Sequence, residues 1–226
     1  MKKHIIICLL FLGIFELVSC SKEPEDNHPY YKFNDSDLNL IINYNYIENQ
    51  IITYENQFGE KLHYKVMSNI FKKESKYSGS GFVGSYSSLD YYYDSKIVRL
   101  EIVENESNYR YNQVIYNFSK SQNIFKNTLN NPIWNTESSS TFYDDVDRPF
   151  NIELNIYNSN NKIQLNINGH TFNKIVEINS NNNTTTFPPI YGALLTKNVN
   201  KVLYDYDFGI VEFEDIDGKV WKVIYP

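Results

Sequence analysis

Apolar and polar residues alternate with a period of two along much of this chain. Leu62, Tyr64 and Val66 flank His63 and Lys65, and Val98, Leu100 and Ile102 flank Arg99 and Glu101. Val114, Tyr116 and Phe118 repeat the spacing. Phe150, Ile152, Leu154 and Ile156 are separated by Asn151, Glu153 and Asn155, and Ile163, Leu165 and Ile167 by Gln164 and Asn166. Successive side chains of a strand point to opposite faces, so each run predicts a strand with one buried face. Asn168-Gly169 joins two such runs, and both residues accept the positive φ of a type I′ turn, which predicts a hairpin. Gln57-Phe58-Gly59-Glu60 and Asp215-Ile216-Asp217-Gly218 predict longer or bulged hairpins. Ser119–Asn131 differs: Ser caps, Ile124, Phe125 and Leu129 at helical spacing, and Pro132 just beyond predict one short helix. About ten strands should lie between Leu38 and Tyr225, which predicts an all-β, mostly antiparallel domain. A strongly curved sheet or open barrel is the expected form, with a two-sheet β-sandwich as the alternative. Ser180–Pro189, rich in Asn and Thr, is expected to be a mobile surface loop stiffened by Pro188-Pro189.

The first thirty residues follow another plan. Met1-Lys2-Lys3-His4 is basic, and Ile5 to Val18 is apolar apart from Gly13 and Glu16. A basic start before an apolar run of this length predicts a secretory signal, and the run is too short to span a bilayer as a helix. It ends in Leu17-Val18-Ser19-Cys20, which resembles the lipobox of bacterial lipoproteins. That resemblance implies a diacylglycerol on the Cys20 sulfur, cleavage before Cys20 and acylation of the new amino terminus. The cysteine count agrees. Cys8, the one other Cys, lies within the signal, so Cys20 has no disulfide partner once the signal is removed. Ser21 to His28 is polar and carries Glu23, Glu25 and Asp26, a composition that cannot bury enough apolar area to order itself. The expected organisation is therefore a signal at 1–19, a lipidated Cys20 with an acidic tether at 20–30, and one β-rich domain at 31–226. The acidic stretch also looks like the segment that marks Bacteroidetes lipoproteins for the outer face of the outer membrane. A plain spacer on the periplasmic face is the alternative.

Charge narrows the partners. Removing residues 1–19 takes Lys2, Lys3 and Glu16 from 21 basic and 27 acidic residues, leaving 19 against 26 and a net charge of −7. Nucleic-acid binders carry clustered positive charge, so nucleic acid is not an expected partner. Anionic headgroups would repel such a chain weakly, and membrane attachment is expected to depend on the lipid alone. A glycan or an envelope protein is the expected type of further partner. Aromatic residues make up 16% of the chain and include 20 Tyr, but Asn, Ile and Lys are abundant too, so composition alone is not read as a binding site.

The C-terminal run from Asn200 to Phe213, followed by Asp217-Gly218-Lys219-Val220-Trp221, resembles the ending of uncharacterised, flavobacterial-type Bacteroidetes outer-membrane lipoproteins. Asn168-Gly169-His170-Thr171-Phe172 resembles their preceding hairpin. The likeness covers residues 163–225 and the lipobox, and it implies lineage and fold without an activity. Read from the residues themselves, Gly209 fits a bend or bulge where a side chain would obstruct backbone approach, and Trp221 reads as a core plug.

Sites for chemistry are sparse. His28, His63 and His170 are scattered, whereas a metal site needs three or four converging ligands. Gly79-Ser80-Gly81-Phe82-Val83-Gly84 matches Gly-x-Gly-x-x-Gly but no helix follows it, so it reads as a hairpin or bulged loop. Asp144-Asp145-Val146-Asp147 and the carboxylates Asp205, Asp207, Glu212, Glu214, Asp215 and Asp217 read as solvated turn residues, with Ca²⁺ ligation or paired-carboxylate chemistry as alternatives. No cofactor and no metal is expected, and no catalytic set is assigned. The remaining feature is Asp90-Tyr91-Tyr92-Tyr93-Asp94, with Tyr86, Tyr109 and Tyr111 nearby. In a strand, Tyr91 and Tyr93 share one face and Tyr92 the other; ordinary sheet packing is the expected role, with ligand contact by Tyr91 and Tyr93 as the alternative. The expected function is a lipid-anchored, non-enzymatic binding or structural module of the cell envelope. A glycan hydrolase with paired carboxylates and a lipid or lipoprotein carrier with a curved-sheet cavity are the alternatives.

Overall fold

A computed structural model describes residues 27–79, 87–104, 113–134, 151–180 and 199–226. Cys20 and its signal, most of the glycine motif, Asp144–Asp147, and the Asn/Thr segment beyond Ser180 lie outside the described residues. The fold is all-β, a single antiparallel sheet curled into a half-barrel. Its strands are β2 (Ile51–Asn56), β3 (Lys61–Ser78), β4 (Ser88–Ile102), β5 (Gln113–Ser121), β6 (Ile124–Asn130), β7 (Asn151–Glu153), β8 (Ile163–Ile167), β9 (His170–Asn179), β10 (Val199–Asp205), β11 (Gly209–Asp215) and β12 (Val220–Ile224). A two-residue strand, β1 (Tyr30–Tyr31), pairs in parallel with β4. Strands β2 to β7 form one meander and β8 to β12 a second, and the pairing of β12 with β2 joins them, Trp221 opposite Asn56 and Ile224 opposite Thr53. The outer edges, β7 and β8, are consecutive in sequence and linked by residues 154–162. Across that seam, Tyr206 Oη donates to Asn158 Oδ1 at 3.1 Å.

The alternation sets the core. Tyr64, Val66, Val98, Leu100, Ile102, Val114, Tyr116 and Phe118 are fully buried on the concave face. Asn168 and Gly169 both adopt positive φ, 49° and 86°, as their turn requires. Trp221 is fully buried and stacks on Phe213, with ring centroids 6.0 Å apart. The largest fully buried side chains are aromatic. Tyr54 Oη donates to the Ile210 carbonyl at 2.8 Å, Tyr46 Oη to the Phe208 carbonyl at 2.5 Å, and Tyr116 Oη accepts from Ile210 N–H at 3.1 Å. These bonds tie three separate segments to the start of β11 across the barrel. They also explain Gly209: its φ is 108°, and a Cβ there would lie 2.8 Å from the Tyr116 ring.

Two predicted elements differ in the structure. Ser119–Asn131 is the β5–β6 hairpin, not a helix, with Gln122 at φ 54° in its turn. Ladder bonds on both strands and two buried polar anchors outweigh a short, Asn-rich helical pattern: Lys120 Nζ donates to Asp37 Oδ2 at 2.6 Å and Asn127 Nδ2 to the Leu40 carbonyl at 3.2 Å. The strand expected from Phe150 to Ile156 is shorter, because Leu154–Tyr157 turns into a 3-10 helix that buries Leu154 and leaves Ile156 exposed. A four-residue helix, α1 (Asp35–Leu38), stands elsewhere, closed by an Asn34–Asp37 capping box. It belongs to a strap of residues 32–50 that crosses one end of the half-barrel. Ile41, Ile42 and Tyr46 of the strap enter the core, and the N–H groups of Asn43 and Tyr44 donate to the Asp207 carbonyl.

Candidate functional site

Strands β3 and β4 are much longer than their neighbours, 18 and 15 residues. The β2 pairing reaches only Lys65 on β3, and the β5 pairing on β4 begins at Ser95. The far part of the hairpin is thus a two-stranded arm beyond the sheet, and two strands alone are marginal in water. Bulges at Val66/Ser68 and Lys76/Tyr77 interrupt its register and bend it. The N-terminal segment supplies the missing support. β1 sets Tyr30 beside Tyr92 and Tyr31 beside Tyr93, and Phe33 packs against Phe71 and Phe125 at 6.0 and 5.9 Å.

Asp94, almost fully buried, clasps that segment. Its Oδ1 accepts from Tyr30 Oη at 2.5 Å and its Oδ2 from Phe33 N–H at 2.9 Å. The hydrogen bond to Asp94, helped by burial and by the carboxylate charge, pushes the Tyr30 phenol up to about 12. On the same face the Lys73 ammonium lies 3.5 Å from the Tyr92 ring centroid and 4.9 Å from that of Tyr30, a cation–π sandwich. The opposite, convex face carries the candidate contacts. Tyr31 and Tyr91 meet edge to face at 5.2 Å, Tyr91 and Tyr93 at 6.1 Å, and the Tyr91 and Ser121 hydroxyls are 2.7 Å apart. All three rings are half-buried, so each keeps one side toward solvent. Desolvation raises the Tyr93 phenol, with a smaller contribution from Glu74 that Lys72 offsets. Farther out, Tyr77 is 55% exposed, and closer to the body Ile70 is 41% exposed, whereas Phe71 lies on the Phe33 side of the arm. Such a surface offers flat apolar ring faces, phenol hydroxyls, and the ammoniums of Lys72 and Lys76.

Tyr91 and Tyr93 thus share a face as the spacing predicts, while Tyr86, Tyr109 and Tyr111 lie outside the described residues. Sequence reasoning missed Tyr30, Tyr31 and Asp94: the first two adjoin the tether, and a lone Asp after three Tyr gives no hint that it receives a chain 61 residues away.

The other candidates resolve into structural roles. Asp205 and Asp215 are buried, which corrects their reading as solvated. Asp205 Oδ1 accepts from Asp207 and Phe208 N–H, and Asp215 Oδ1 from Asp217 and Lys219 N–H, so each carboxylate closes its turn. Asp207 pairs with Lys174 at 2.8 Å. His63 is bonded to Glu104 through its ring and its N–H, and His170 stacks on Tyr225 at 3.5 Å. Among the described residues no three His, Cys, Asp or Glu side chains group as metal ligands, and no helix is long and apolar enough to cross a membrane. Comparison with family models, curated proteins and solved structures returns no match for this chain.

Proposed function

We propose that this chain is a lipid-anchored, non-enzymatic module of the outer membrane, and that the tyrosine face of the β3–β4 arm is its contact surface. Resemblance of its leader and C-terminal hairpins to Bacteroidetes lipoproteins supports the location. The observation that carries the contact surface is the packing of Tyr31, Tyr91 and Tyr93 outside the core, on an arm that extends beyond the β2 and β5 pairings of the half-barrel. The filled interior favours this reading over a carrier, because the concave face that would hold cargo is occupied by buried aliphatic and aromatic side chains. The acidic residues of the described C-terminal hairpins favour it over a hydrolase, since Asp205 and Asp215 are committed to turn N–H groups. Fractionation tests the location: Cys20→Ser should move the protein from the membrane pellet to the soluble fraction. Equal retention of both forms refutes the anchor, and turnover of a glycan or ester substrate by the purified protein refutes the non-enzymatic assignment.

A further inference from the structure

The direction in which the N-terminal segment leaves the domain bears on what the arm touches. Because β1 runs parallel to β4, with Tyr92 N–H donating to the Pro29 carbonyl at 2.8 Å, the chain upstream of Tyr30 leaves toward Ser88, the far end of the arm. An extended chain covers at most about 3.3–3.6 Å per residue, so the ten steps from Cys20 to Tyr30 reach about 35 Å. Tyr92 lies opposite Ser75, and the fourteen steps from there to Lys61, at the other end of β3, amount to about 45 Å at strand rise. Leaving in this direction, the tether starts near the arm end and about 45 Å from the Gln57–Glu60 end of the sheet. The arm end lies within its reach.

We infer that the partner of the tyrosine arm is the headgroup layer of the membrane that carries the anchor, with Tyr77, Tyr91 and Tyr93 at the interface and the domain standing away from it. This rests on the proposed acylation of Cys20. The chemistry fits the depth. Phenol rings favour the membrane–water boundary, where their apolar faces leave water and their hydroxyls stay hydrated. Lysines beside them extend their apolar stems along the surface and place ammoniums among the phosphates. On a chain of net charge −7 after processing, the tyrosine face of the arm carries Lys72 and Lys76 against Glu74, and the arm as a whole balances three lysines against Glu74, Asp90 and Asp94. The arm is therefore an aromatic feature without net charge on an acidic protein. Attachment by lipid alone would leave orientation free, and the arm would fix it.

The mature chain provides its own labelling scheme, because an acylated Cys20 leaves it without a free thiol. Ser78→Cys on the exposed arm and Phe58→Cys in the β2–β3 turn, where Phe58 is 70% exposed, each add one. The acylated full-length protein, labelled with a fluorophore, is reconstituted in phosphatidylethanolamine–phosphatidylglycerol vesicles containing a headgroup spin-labelled lipid. The expected result is loss of emission for the label at 78 and unchanged emission for the label at 58. Combined Tyr77→Ser, Tyr91→Ser and Tyr93→Ser should restore emission at 78 without releasing the protein from the vesicles. If the protein sediments with vesicles but neither label, both labels or only the label at 58 is quenched, the arm contact is refuted and the anchor stands. Quenching at 78 that survives the triple substitution refutes the role of the rings. Failure to sediment refutes the anchor and the contact together.

Discussion

Raising the pH should unfold this protein abruptly, because its interior holds several buried phenols. Tyr46, Tyr54, Tyr64, Tyr116 and Tyr204 are almost or fully buried, and desolvation of the charged form is the largest cause raising each above the ordinary value of 10.0. Below pH 10 these groups keep their protons in both the folded and the unfolded chain, and stability does not depend on them. Above it the unfolded chain releases protons that the folded chain retains, so stability falls as pH rises. Each retained proton costs about 1.4 kcal/mol per pH unit, and five together reach about 7 kcal/mol per unit. A domain stable by about 5–15 kcal/mol then unfolds within roughly one to two units above pH 10. Tyrosinate absorbance and far-ultraviolet circular dichroism followed on the same samples provide the assay. Part of the absorbance rise should coincide with loss of the β signal. Tyr204→Phe is the control, since the Tyr204 hydroxyl has no hydrogen-bond partner among the described residues and its removal leaves no acceptor orphaned. That variant should keep its neutral-pH stability and lose one proton from the alkaline slope. Ionisation of all tyrosines along one smooth curve while the sheet signal persists would refute the reasoning.

Two further outcomes test the packing. Gly209→Ala places a methyl group 2.8 Å from the Tyr116 ring at a φ of 108°, and should lower unfolding free energy by about 2–4 kcal/mol, read from a urea midpoint at unchanged slope. Asp94→Asn weakens the acceptors for Tyr30 Oη and Phe33 N–H, and should cost about 1–3 kcal/mol while making the segment before Asn34 cleavable by protease; an unchanged digestion pattern would show that Asp94 does not clasp it.

Much of the sheet was legible because half-buried antiparallel strands write a period of two, and β3, β4 and β5 kept to it. Gly209 and Asn168-Gly169 were legible for a different reason: close approach and positive φ restrict which residue can stand there. The β5–β6 hairpin was not, because what holds it is remote. Lys120 finds Asp37 83 residues away and Asn127 finds Leu40 87 residues away, and no local window contains those partners. The arm was half legible. Alternation put Tyr91 and Tyr93 on one face, but how far β3 and β4 outrun β2 and β5 depends on register, and the docking of Tyr30 and Tyr31 on Tyr92 and Tyr93 depends on a pairing across 62 residues. Carboxylates in turns looked solvated because sequence shows the charge and not the N–H groups that surround it.

The ladder between β2 and β12 also sets a timetable. Thr53 meets Ile224 about 170 residues later in the chain, and at about 5–20 residues per second synthesis of that interval takes of the order of ten seconds or more. Until then β2 has a bare flank and the two meanders cannot lock. For the proposed lipid-anchored protein, which would cross a membrane as a thread, this delay keeps the two meanders unlocked until β12 has been made.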